Sequence, residues 1–165
     1  MNTIFLIAHL IGIALGAGGA YMSDVLFFHD RSIPTLKLAS RVVWIGLAII
    51  VLSGIGLFSL NAAGYLHSAK FLLKMTVVLV IAINGYVFHR VHMPKLEQGI
   101  FTRGLAVSGA ISITSWTLAI ILGALSHISV SYLFGLGLYV LLLLCASLGA
   151  VLMYPRLVKT LPDQT

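Results

Sequence analysis

Five apolar runs, each about as long as a bilayer core is thick, leave this chain few ways to fold. They cover residues 3–27, 38–60, 69–88, 104–126 and 130–154. A helix needs roughly 20 apolar residues to cross a hydrocarbon layer of about 30 Å. In lipid every backbone N–H and C=O must find its partner inside the protein, and a helix satisfies them within one segment. The runs therefore predict an all-α integral membrane bundle of five transmembrane helices, a single transmembrane domain over residues 1–165. Composition agrees: 60% of residues are hydrophobic and 8% are charged, where soluble domains carry about 25%.

The net charge of +6 is not a nucleic-acid signal, because the basic residues sit almost entirely between the apolar runs, as topology markers. Arg31, Lys37 and Arg41 flank the first connection, Arg90, Lys95 and Arg103 the third, and Arg156 and Lys159 follow the last run. Lys70 and Lys74 fall on the other side. The positive-inside rule then puts the N-terminus outside and the C-terminus in the cytoplasm, in a bacterial cytoplasmic (inner) membrane. The N-terminal run has no basic residue before it and reads as a retained helix rather than a signal peptide. Pro34, Pro94, Pro155 and Pro162 are expected in connections or the tail. The single cysteine, Cys145, excludes an internal disulfide and a CxxC motif and reads as a packing residue.

Ionisable groups inside a membrane are costly, and each is a functional candidate. The candidates are His9, Lys70, Lys74 and, towards the other end of the first helix, Asp24, with Asn84 as a polar companion. At 1.5 Å per residue His9 lies about 9 Å outward of the first helix's centre, and Lys74 lies at a similar level on the third. His67, Lys70 and Lys74 fall within about 60° on a helical wheel. His9 shares a face with Gly12 and Gly16 at i+3 and i+7. Such a face offers an imidazole ligand above a groove that a porphyrin could enter, with the lysines as propionate partners. The Gly12–Gly16 pair, extended by Ala20, also suits close helix packing or a homo-oligomer seam. No second histidine matches the depth of His9, so the sixth position of an iron would stay open or fall to Met75, Lys74, His67 or His127; the competing reading is that His9 is a packed histidine hydrogen-bonded to a serine or a carbonyl. Copper competes for His9, Met75 and His67 through imidazole and thioether chemistry, although no HxH or MxxM spacing supports it. His89 and His92 read as part of a basic interfacial connection.

Three stretches carry a resemblance. Gly18-Gly19-Ala20-Tyr21-Met22-Ser23-Asp24-Val25-Leu26-Phe27-Phe28 is one. Ser40-Arg41-Val42-Val43-Trp44 with Ser53-Gly54-Ile55-Gly56-Leu57-Phe58 is the second, and Lys70-Phe71-Leu72-Leu73-Lys74-Met75, running to Asn84-Gly85, the third. Together they resemble a family of small, largely uncharacterised bacterial integral membrane proteins over about the first 95 residues. More distantly, His9 and the Tyr65, His67, Lys70 stretch resemble two groups of helical bundles: the haem-binding, membrane-embedded protoporphyrinogen oxidases and the copper-resistance D type membrane domain. The oxidases usually carry a tryptophan and a closely following lysine there. This chain has Tyr65, with Lys70 five residues on, which argues against the oxidase activity while leaving a porphyrin site.

The expectation is a b-type haem protein, serving electron transfer or a membrane oxidoreductase step, with quinone or a porphyrin as partner in the bilayer. His9, Gly12, Gly16, His67, Lys70 and Lys74 would surround the cofactor, with His9, His67 and His127 as metal ligands. The alternative is a non-enzymatic membrane subunit or a copper-handling membrane protein. A transporter is disfavoured, because five helices do not divide into two equal inverted halves and no acid lies deep in the membrane.

Overall fold

A computed structural model of the chain describes residues 2–29, 32–125 and 130–159. Helix α1 spans Asn2–His29 and α2 spans Ile33–Leu60. A short α3, Ala62–Leu66, leads into α4, Ala69–Val87. A wide turn, Phe88–His92, joins α4 to α5, Met93–Glu97. Helices α6, Arg103–Ala124, and α7, Tyr132–Lys159, follow. Among the described residues five helical spans are long and apolar enough to cross a membrane, with mean hydropathy between 1.9 and 2.4, and none is a strand.

Three prolines lie elsewhere than expected. Pro34 sits in the first turn of α2, which begins five residues before the apolar run. Proline is tolerated there because a first-turn N–H has no helical partner to lose. The stretch read as a connection around His89 and His92 is helical, and it carries the third span on to Glu97. Pro94 enters that helix because the backbone widens just before it: the Met93 N–H bonds back to the Phe88 carbonyl, five residues away. This widening relieves the clash of a proline ring with the carbonyl four residues earlier. Pro155 lies inside α7 rather than starting a tail. It removes one donor, and the helix resumes around it.

Helix α1 packs closely along α2 and touches α6, while α4 packs on α6 and α7. Helix α6 is therefore the hub. Its Trp116 (1% exposed) and Ser115 (0%) are among the most buried side chains of the described protein. Around Trp116 gather Ala17, Ala20, Leu47, Ile50, Val77 and Tyr139. The Tyr139 and Ser115 hydroxyls lie 2.7 Å apart, and Ser115 also donates to the Ile111 carbonyl. The core hydroxyls are thus satisfied inside the protein, as a low-dielectric interior demands. The opposite faces are apolar and open: Leu52, Leu133, Phe134 and Leu152 are each about 70% exposed. In water this would be an aggregation surface. Against acyl chains it is the expected exterior.

Candidate functional site

His9 stands six residues into the α1 span that begins at Thr3, about 9 Å below its end. Its ring is half-buried and turned towards α2, with Nδ1 2.9 Å from the Ser53 hydroxyl oxygen. Ser53 donates its own proton to the Ile49 carbonyl at 2.6 Å. The serine oxygen therefore accepts from His9, and the proton sits on Nδ1. The Ile50 carbonyl is a second hydrogen-bond partner of the ring. A hydrogen bond of this kind fixes the orientation and tautomer of an imidazole ring. Lys74 of α4 is half-buried and lies within electrostatic reach of the His9 ring, as Lys70 does of Lys74.

The other expected members of the site are placed differently. Gly12 and Gly16 are buried in the α1–α2 seam. A Cβ on Gly12 would meet Ile50 at 2.9 Å and the Gly46 carbonyl at 3.0 Å. A Cβ on Gly16 would enter the Trp116 ring at 2.2 Å. The groove is filled by the backbone of Gly46 and the indole of Trp116. The space beside both glycines is taken up within this chain. The small residues serve helix approach within one chain.

The Lys70 ammonium donates to the carbonyl of Leu125, the residue that ends α6. A cation there meets the negative end of the helix dipole and an orphan carbonyl at once. Lys70 is thus engaged in structure. His67 is exposed at the end of α3. Met75 is 45% exposed. His127 lies outside the described residues. Among the described residues no three His, Cys, Asp or Glu side chains converge as a metal-ligand group. This end of the bundle thus offers one half-buried imidazole with a cation in electrostatic reach. The flat seat expected for a porphyrin is not at Gly12 and Gly16.

An aromatic cluster closes this end of the bundle. Phe58 and Phe71 stack at 5.6 Å, and Tyr65 tilts against Phe71 at 5.1 Å. Phe5 lies on Gly56 of α2. Ser53 and Trp116, which set the His9 ring and fill the glycine groove, were not among the expected site residues. The contacts of His9 with Ser53 and the Ile50 carbonyl match the reading of a packed, hydrogen-bonded histidine, but which serine it meets follows from the register between helices, which is not written in either one.

A second polar locus lies at the opposite end of the span. Asp24 is three residues short of Phe27, where the α1 span ends, so about 4.5 Å inside it. It lines a small cleft with Ser23, Ser40, Asn84 and Ser112, flanked by Trp44. Asn84 and Ser108 form a reciprocal pair: the amide donates to the Ser108 carbonyl at 2.9 Å, and the Ser108 hydroxyl donates to the Asn84 side-chain oxygen at 3.0 Å. Compared with family models, curated proteins and solved structures, the chain finds no match.

Proposed function

We propose that the chain is a b-type haem-binding integral membrane protein serving electron transfer or a membrane oxidoreductase step. The observation that carries the reading is the half-buried His9 imidazole, whose Nδ1 lies 2.9 Å from the Ser53 hydroxyl and which lies within electrostatic reach of the Lys74 ammonium. Haem, when bound, supplies one-electron chemistry. His9 Nε2 would donate to the iron, Ser53 would hold the ring's tautomer, and Lys74 would offset propionate charge. Because the Gly12–Gly16 seam is filled by Gly46 and Trp116, the porphyrin would sit elsewhere around His9. The distribution of basic residues supports an N-terminus outside and a C-terminus in the cytoplasm of a bacterial inner membrane, an orientation in which His9 would lie in the outer leaflet.

The test is the visible spectrum of protein purified from cells supplied with haem, together with metal analysis. A Soret band that is lost in His9→Ala and weakened in Lys74→Met supports the reading. The absence of any band, or a band indifferent to His9→Ala, refutes it. Copper bound without haem would favour the copper-handling alternative.

A further inference from the structure

We propose that the cleft around Asp24 is a binding site for a small monovalent cation, such as a sodium ion, at the end of the bundle opposite His9. Fifteen residues of α1 separate Asp24 from His9, about 22 Å along the axis, so the two sites are independent. The Asp24 Oδ2 atom is buried and has no hydrogen-bond partner. No ion pair among the described residues includes Asp24; the pair that closes this end is Lys37 with Glu97 at 2.6 Å. A carboxylate oxygen that is both dry and unpartnered is costly. A cation in the cleft removes that cost.

The surroundings suit such an occupant. Polar residues from four helices line the cleft, Ser23 from α1, Ser40 from α2, Asn84 from α4 and Ser112 from α6, among apolar ones such as Val43 and Ile81. Hydroxyl, amide and carboxylate oxygens are the ligands that hard cations take. One carboxylate carries one charge, which matches a monovalent ion and leaves a divalent one half-compensated. The cavity volume of about 70 Å³ has room for an ion and a few waters. It is far below the roughly 300 Å³ at which organic ligand pockets begin. Space beside the carboxylate is kept by Gly109 of α6, where a Cβ would lie 3.0 Å from Asp24 Oδ1. The site is also shallow enough to be reached from the nearer membrane surface.

The experiment is equilibrium binding of radioactive sodium to the full chain in lipid nanodiscs, with choline as the balancing cation. The wild type is expected to bind about one ion per chain, displaced by unlabelled sodium. Asp24→Asn keeps the shape, removes the charge and is expected to weaken binding about tenfold or more. Gly109→Ala keeps the carboxylate, narrows the cleft and is expected to weaken binding severalfold, so it carries the test if Asp24→Asn fails to fold. Absence of saturable binding in the wild type overturns the proposal. So does a saturable site that both variants leave unchanged.

Discussion

Gly46→Ala is the substitution that best probes the α1–α2 seam. A Cβ at Gly46 would sit 2.3 Å from the Gly16 nitrogen, 2.7 Å from its Cα and 2.8 Å from the Gly12 carbonyl oxygen. All three are backbone atoms, so no rotamer change relieves the clash. Ordinary contact needs about 3.4 Å or more, so the helices must part by about 1 Å. A gap of that size forfeits a quarter to a half of the dispersion energy of the affected contacts. For on the order of 30 atom pairs at about 0.1–0.2 kcal/mol each, the loss is about 1–3 kcal/mol. That matches the usual cost of overpacking a core. Gly18→Ala on α1 is the control, because a Cβ there meets nothing within 4 Å. Alanine also improves helix propensity, so Gly18→Ala should be neutral or slightly stabilising. Equilibrium unfolding in mixed detergent and SDS micelles measures both. Equal stability of the two variants would refute the seam as described. So would a Gly46→Ala protein that unfolds like wild type but changes its oligomeric mass, since that would place the glycines between copies.

Other consequences are open to test. Ser53→Ala removes the acceptor for His9 Nδ1–H and should weaken haem retention by about 10–100-fold, read by haem titration; an unchanged affinity would dissociate Ser53 from the site. Lys70→Met should cost about 0.3–1 kcal/mol of stability, by loss of the cation at the α6 end, while leaving any haem spectrum intact; a lost spectrum with unchanged stability would instead make Lys70 a cofactor residue. A double-mutant cycle on Asn84→Ala and Ser108→Ala should give a coupling of about 0.6–1.7 kcal/mol, and a coupling near zero would mean the pair is not formed in the membrane. Tyr139→Phe should destabilise by about 1 kcal/mol in the same unfolding assay. It removes one hydroxyl from the 2.7 Å pair while Ser115 keeps its Ile111 acceptor; no change would argue that the pair contributes nothing.

The helices were legible in the chain because lipid imposes one requirement on every residue of a span, and hydropathy records it residue by residue. The length of each run, the polar breaks and the levels of His9 and Lys74 all follow from local composition and a 1.5 Å rise. Proline positions were less legible, because a first-turn proline at Pro34 and a widened turn before Pro94 satisfy the backbone in ways the residue type does not announce.

What the tertiary structure decided is pairing. The spacing of Gly12 and Gly16 marks a face of close approach, but a missing side chain carries no record of what fills the space. Here it is Gly46 and Trp116. Lys70 and Lys74 are alike in sequence and nearly alike in depth, yet one is spent on the end of α6 and the other lies within electrostatic reach of His9. Asp24 reads as a residue near a helix end until four helices close around it. Burial in a membrane span is a property of one segment. A site is a property of the register between segments, and that register is set by packing contacts that no single segment contains.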